Sequence, residues 1–241
     1  MATPEPVTPP PDEGLLEEMF GDNASSYDLV VRLATLGMDF WWKRRLMRVI
    51  PPGRSYARIL DLGCGTGIVT MKLAERFPEA EVVGIDLMPE YVDIAAAKAG
   101  KRGLNNVSLH HMRIEDMEQL PGQFDLVIGS FIPKLVEIPN LIRGFDAVTA
   151  PGGVLILHDF IVPTNPLLRK GFTAYWQLVK LGMRLFPSWQ RVSENLFRII
   201  WESGWSSRLP AELSSNGFSD LYTETQPLQI SKIIRVVRTT T

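Results

Sequence analysis

A glycine-rich turn between an apolar run and an amphipathic helix constrains this chain more than any other feature. Residues 58–63 read RILDLG, a short β-like run, and Asp61-Leu62-Gly63-Cys64-Gly65-Thr66-Gly67 leads into the helical pattern of residues 67–77. Glycine tolerates positive φ and places no Cβ in a ligand's way, so the backbone of such a turn can close around a bound group. Further apolar runs follow at 81–87, 107–112, 124–131 and 154–160, with helical patterns at 89–102 and 138–150 between them. Strands alternating with helices predict a parallel sheet covered on both faces. In an open sheet of this kind ligands collect at the carboxyl edge, where the glycine turn falls. Pro151-Gly152-Gly153 is expected to form the turn that ends the last of these helices.

Composition sets the outer limits. The 241 residues are 45% hydrophobic and 22% charged, which supports a packed core and excludes a chain disordered throughout. A formal charge of −2 gives no basic surplus for nucleic acid. A single cysteine excludes an intrachain disulfide and a cysteine zinc site and fits a reducing compartment, so a cytoplasmic location is expected. No apolar run approaches the roughly 20 residues that span a bilayer, and no secretion signal is expected. His110 and His111 lack the carboxylate or cysteine company of a metal site, and no metal is expected.

The chain divides into five stretches. Proline-rich residues 1–14 are expected to form a disordered tail. Residues 15–53 make an N-terminal helical cap, with its longer helix from about Gly37 to Ile50 and a basic cluster of Lys43, Arg44, Arg45 and Arg48. Residues 54–160 are the nucleotide-binding core. Residues 161–208, interrupted by Pro187, form a helical lid, and 209–241 hold two strands that pair as a hairpin and complete the sheet. Phe172 to Phe186 reads as an amphipathic helix whose apolar face accepts a lipophilic tail, rests on a membrane surface, or packs on the sheet or a second subunit. For the basic cluster, a solvated helix face competes with an attraction to anionic lipid.

Two carboxylates refine the ligand. Asp86 ends the second strand, where it can accept hydrogen bonds from vicinal ribose hydroxyls. Dinucleotide enzymes use a similar glycine loop, but Asp61 beside it would repel a pyrophosphate and suits a cationic amino-acid group. In combination, DLGCGTG, GID and PGGVLIL resemble the motifs of the class I S-adenosylmethionine-dependent methyltransferases over about residues 58–160. The resemblance implies a doubly wound, mostly parallel seven-stranded α/β sheet with its final strand reversed. It also implies a cofactor site built from Asp61, Gly63, Cys64, Gly65, Gly67, Asp86, Leu87, Glu115, Asp116 and Ser130. Asp61 would meet the methionine amino group and Asp116 the adenine amino group, although Asp116 is also explained as a solvated loop carboxylate.

A narrower resemblance extends further. MFGDNASSYDLVVRLATLGMDFWWKRRL and PTNPLLRKGFTAYWQLVKLGMRLFP are similar to segments of the ubiquinone/menaquinone C-methyltransferases. The resemblance implies ring-carbon methylation of a prenylated quinol, with peripheral contact to the inner membrane face and homodimerisation left open. This chain departs from the group at Asp39-Phe40 and at Phe131 to Val136, where Lys134 replaces an arginine and cannot copy its bidentate contact. A quinone-modifying enzyme with another outcome, such as rhodoquinone formation, a methyltransferase of another small molecule, and a non-catalytic cofactor-binding protein are the alternatives. Candidate bases are Asp159 and His158, only one of which should face the pocket because strand residues alternate, then Tyr27 and Asp39. Expected substrate contacts are Tyr27, Trp41, Phe131, Lys134 and Tyr175. Each has a plain alternative: a structural histidine for His158, packing for Tyr27 and Trp41, and a surface lysine for Lys134.

Overall fold

The computed structural model describes residues 10–240, so most of the proline-rich tail lies outside the described residues. Two helices and a third open the chain: α1 (Glu13–Phe20), α2 (Tyr27–Ala34) and α3 (Met38–Val49). The core follows as β1 (Arg58–Leu62), α4 (Ile68–Arg76), β2 (Glu81–Asp86), α5 (Pro89–Arg102), β3 (Val107–His111), β4 (Phe124–Ser130), α6 (Ile138–Val148) and β5 (Thr149–Phe160). Then come α7 (Pro166–Met183), α8 (Pro187–Glu202), α9 (Trp205–Ser215), β6 (Phe218–Thr225) and β7 (Ser231–Arg238). The seven strands lie in the order β3-β2-β1-β4-β5-β7-β6, with β7 antiparallel to both neighbours and β1 to β5 parallel. This is the doubly wound α/β sheet with a reversed last strand that the motifs implied.

Strand alternation sorts the core into two layers. Leu60, Leu62, Val127, Leu155 and Leu157 face α6 and α9. Ile59, Leu126, Ile128, Val154 and Ile156 face α3 and α4. The same alternation sends Asp61 and His158 to the α3/α4 side and Asp159 to the opposite side. Helix ends follow local chemistry. Asp12 caps α1 by accepting from Leu15 N at 2.8 Å, Pro89 starts α5 and Gly103 ends it in the left-handed region. Asn165 caps α7 through Leu167 N and Leu168 N. Arg45 grips Glu224 of β6 with three contacts of 2.7–2.9 Å, and Lys43 is buried beside Asp39. Two cations of the expected solvated cluster therefore serve internal pairs.

Three boundaries differ from expectation. Helix α1 starts at Glu13, because Asp12 supplies the cap that proline composition concealed. The stretch 149–153 belongs to β5 rather than to a turn. Gly152 at φ +71° and a register shift between Phe124 and Leu126 let the strand bulge and continue. Helix α9 runs on to Ser215 despite Pro210 within it, because Leu209 and Leu213 pack into the α6 layer and outweigh the lost backbone bond.

Helix α4 meets α5 at Gly67, which holds φ +82° and whose Cβ, if present, would stand 2.9 Å from Ala95 Cβ and 3.3 Å from its Cα. Gly67→Ala is expected to destabilise the fold by about 1–3 kcal/mol, read as a lower urea midpoint with an unchanged m-value.

Candidate active site

The carboxyl edge of the sheet opens into a cavity of about 490 Å3, within the usual range for small-molecule sites. One end is the turn after β1, where Gly63, Gly65, Asp86 and Leu87 line the wall. Asp86 shapes this end. Its carboxylate accepts from Gly65 N at 2.7 Å and Met88 N at 3.0 Å, against burial that pushes its pKa up. Gly65 has φ +53°, and a Cβ there would meet nothing closer than Tyr91 Cδ1 at 3.8 Å. Its missing side chain leaves ligand space.

Asp61 lies behind the turn and outside the lining, fully buried, accepting from Thr70 Oγ1 at 2.6 Å. Burial pushes its carboxyl up to about 7, the Thr70 hydrogen bond pulls it back, and the Asp86 charge adds to the rise. Neither carboxylate has an ion-pair partner among the described residues. A turn with three glycines, flanked by two carboxylates short of a cation, fits a nucleoside with a cationic tail.

The outer wall of this end comes from the short turn after β3. Glu115 lines it beside Arg113, 3.7 Å away, and Arg113 reaches Glu13 of α1 at 2.5 Å. Asp116 is outside the lining and accepts from Gln119 instead. Of the remaining expected cofactor residues, Ser130 lines the cavity, while Cys64 and Gly67 do not. Cys64 is buried, which pushes its thiol up and keeps it protonated.

Aromatic rings and one cation form the middle of the cavity. Phe131 adopts φ +68°, an unusual conformation for a bulky residue. Three contacts hold it: its N–H donates to His158 O at 2.7 Å, its carbonyl accepts from Lys134 Nζ at 2.5 Å, and its ring stacks on Phe160 at 4.8 Å. Lys134 is 4% exposed and lines the cavity, so it is a buried wall cation rather than a surface lysine. Asp159 accepts from its ammonium and from its backbone N–H, both at 2.9 Å. Burial pushes the Lys134 pKa down, and the Asp159 charge holds the proton on it.

Three of the four expected bases lie outside the cavity lining. Asp159 is outside the lining, fully buried, and already accepts three N–H donors, the third from Phe160 N at 2.7 Å. His158 is also outside the lining, between Trp42 and Phe131, with Nδ1 3.1 Å from Ser130 Oγ. Burial and the Lys134 charge push it down to about 3, so it stays neutral. Asp39 is buried between Thr35 and Lys43 and is outside the lining, although Thr35 is part of it. Tyr27 does line the cavity, but burial pushes its phenol well above the ordinary value and keeps it protonated. Tyr175 lines it as well, its hydroxyl spent on Ala34 O at 2.9 Å. Trp41 is 65% exposed and outside, whereas its neighbour Trp42 lines the wall. The spacing Trp42, Leu46, Val49 marks the inner face of α3 and was the available signal for that choice. Among the described residues no cluster of three or more His, Cys, Asp or Glu could hold a metal.

Helices α7 and α8 roof the far chamber. Phe172, Trp176, Val179 and Met183 of α7 line it with Val192 and Leu196 of α8. The roof is tied to the N-terminal helices by Trp189 Nε1, which donates to Ser26 Oγ at 3.0 Å, and by the Arg191–Glu18 ion pair.

Fold and site together define a class I S-adenosylmethionine-dependent methyltransferase. A methyltransferase-domain family model matches residues 59–153. The demethylmenaquinone methyltransferase of Deinococcus radiodurans is 34% identical over 181 residues, 72% of each chain. That of Thermus thermophilus is 36% identical over 165 residues, covering 67% of this chain and 73% of its own. The chain belongs to the family of demethylmenaquinone and ubiquinone/menaquinone biosynthesis methyltransferases. Among solved structures, the N-methyltransferase NodS of Bradyrhizobium japonicum in complex with S-adenosylhomocysteine matches with TM-score 0.60 at 15% identity, covering 94% of this chain and 97% of its own. The geranyl diphosphate C-methyltransferase of Streptomyces coelicolor matches with TM-score 0.59 at 11% identity, covering 82% of this chain and 76% of its own. At these identities the structures share the fold.

Two expectations follow from the buried charges. Asp61 keeps its proton in the folded state up to about pH 7 but loses it near 3.8 when unfolded, so its contribution to stability is lost as pH rises from about 4 to about 7. Asp61→Asn should raise the thermal midpoint of the ligand-free protein at pH 8 and flatten its decline across that window. Asp159→Ala strands the Lys134 ammonium and should cost about 3–5 kcal/mol. The apolar pair Lys134→Met with Asp159→Leu should recover most of that loss in urea titrations.

Proposed function

We propose that this protein methylates a ring carbon of a prenylated quinol, with S-adenosylmethionine as methyl donor. One observation carries this proposal: a single cavity runs from the glycine turn and Asp86, past the Lys134 ammonium, into a chamber walled by aromatic and aliphatic side chains beneath α7. The names of the relatives, which are demethylmenaquinone and ubiquinone/menaquinone biosynthesis enzymes, support the same substrate class.

S-adenosylmethionine supplies an already activated methyl group when bound. The chain's own residues orient the partners and manage charge. Asp86 accepts hydrogen bonds from ribose hydroxyls, while the Asp61 carboxylate balances the cationic tail from behind the turn. Glu115, not Asp116, stands at the wall where an adenine amino group is recognised. Phe131, Phe160 and Trp42 hold the quinol ring flat against the cavity wall, and the chamber under α7 takes the prenyl tail.

Asp159 and Asp39 are engaged, His158 lies outside the lining and the Tyr27 phenol keeps its proton, so the chain works through a fixed cation. Lys134 lies beside the ring site with its stem locked by Phe131 O and Asp159. Once the hydroxyl proton has left to solvent at the cavity mouth, the ammonium holds a quinol oxygen as the phenolate, which enriches the ring carbons in electrons. As the carbon–methyl bond forms and the sulfur–methyl bond breaks, the proton on that carbon leaves to solvent by the same route. A charge fixed in a buried site needs no reorganisation during the reaction, and removing one such group costs about 10²–10³-fold in rate.

Incubating the purified protein with methyl-labelled S-adenosylmethionine and demethylmenaquinol should give a labelled product with the methyl on a ring carbon by mass spectrometry. Absence of label in the quinone, or label on oxygen, would overturn the proposal. The Lys134→Met, Asp159→Leu pair should bind S-adenosylhomocysteine normally and turn over about 10²–10³-fold more slowly. Asp61→Asn should lose S-adenosylhomocysteine affinity although it gains stability.

A further inference from the structure

The outer face of α7 carries an apolar stripe that is left exposed among the described residues. Leu167, Gly171, Ala174, Leu178 and Leu181 of α7 succeed one another at alternating steps of four and three residues, so they form one stripe, and Leu185 follows just past the helix end. All six are exposed, Leu167 by 77% and Leu185 by 80%. The inner face is equally apolar, since Phe172, Trp176 and Val179 line the cavity. A helix meeting only water carries a polar outer face; on α7 the exposed Arg169, Lys170 and Gln177 leave the leucine stripe uncovered. Helix α2 repeats the pattern with Leu29 and Leu33 one turn apart, and Leu36 follows just past its end; each is more than 60% exposed.

The two stripes meet at the mouth of the cavity. Leu36 and Leu167 belong to the stripes and also line the cavity, and Leu228, 55% exposed, makes a third lip. The Tyr175–Ala34 hydrogen bond ties α7 to the end of α2 beside this opening. Exposed Phe40 and Trp41 follow closely after Leu36. Charge decides what covers the face. Residues 160–193 contain no Asp or Glu, and they carry Arg169, Lys170, Lys180, Arg184 and Arg191. Lys170 and Arg184 flank the α7 stripe and are exposed. Pairing the stripe with a second copy would oppose these cations in an antiparallel seam and give them no acid in a parallel one. An anionic headgroup layer pairs with them while the leucines enter the acyl boundary. No helix among the described residues is long and apolar enough to cross a membrane, so contact here is from one side.

We propose that the α2/α7 face seats this protein on an anionic phospholipid bilayer, with Leu36, Leu167 and Leu228 opening the cavity directly onto the acyl region so that a lipophilic substrate enters sideways. The route of entry rests on the quinol assignment above; the docking itself does not.

The full chain should co-sediment with phosphatidylcholine vesicles containing about a third phosphatidylglycerol, and at least tenfold less with phosphatidylcholine alone. The combined variant Leu178→Gln, Leu181→Gln, Leu185→Gln, which leaves the cavity lining untouched, should lose at least tenfold in vesicle binding. Lys170→Gln with Arg184→Gln should lose roughly fivefold per charge, and only at low salt. The leucine variant should methylate a detergent-soluble short-tail quinol at the wild-type rate and a vesicle-embedded long-tail quinol far more slowly. Equal vesicle binding by wild type and leucine variant would overturn the docking. So would a wild-type dimer by light scattering that the leucine variant dissolves, with no vesicle binding by either. Lipid-selective binding without methylation of any quinol would support the docking and count against the quinol assignment alone.

Discussion

The backbone between β1 and α4 has to turn sharply while staying close to two neighbouring elements, and the site is organised around that constraint. Gly63, Gly65 and Gly67 all have positive φ. A Cβ at Gly63 would stand 2.2 Å from Ile132 Cδ1, and one at Gly67 would stand 2.9 Å from Ala95 Cβ. The outer two glycines therefore let the loop after β4 and helix α5 close on the turn. The middle one, tied to Asp86 through its N–H, faces the cavity. Without that close approach the β1, β2 and β4 ends would not share one cleft.

Around this turn the protein keeps several features that cost stability. Asp61 is buried against the Thr70 hydroxyl with no ion-pair partner among the described residues. Phe131 holds a left-handed conformation, and the Lys134–Asp159 pair sits almost wholly out of water. Backbone strain and buried charge persist where surrounding structure over-determines them, and they gather at functional sites. Here the two sheet faces supply the support. Asp159 reaches Lys134 from the α6/α9 layer, and His158 braces Phe131 from the α3/α4 layer. One strand end thus fixes Phe131 and Lys134 from both sheet faces while its own carboxylate and imidazole stay outside the cavity lining.

Helices α1, α2, α7 and α8 convert an open sheet edge into a cavity. Trp189, Asn23 and Tyr175 stitch the first pair to the second by hydrogen bonds to Ser26, Ser188 and Ala34. Apolar side chains line the inside of this roof and also leave its outside, a combination that links the shape of the chamber to the surface around its mouth.

Most of the fold was legible from local pattern. The five parallel strands, the final hairpin and the glycine turn depend on alternation, helical spacing and glycine placement, which a sequence displays directly. The missed elements each involve a local signal outvoted by packing: Gly152 and Gly153 let β5 begin at Thr149, and Leu209 and Leu213 carry α9 through Pro210. Within the site, Asp86 was legible because a strand end has one carboxyl direction. The choices of Trp42 over Trp41 and Glu115 over Asp116 turn on which side of a helix or short turn meets the cavity. The sequence by itself determined the sheet, the ligand turn and the acids beside it, because these follow from dihedral preferences and periodicity within a few residues. Only the tertiary structure decided which titratable groups are free, because the protonation of Asp61, His158, Lys134 and Asp159 is set by burial and by partners that distant segments bring to them.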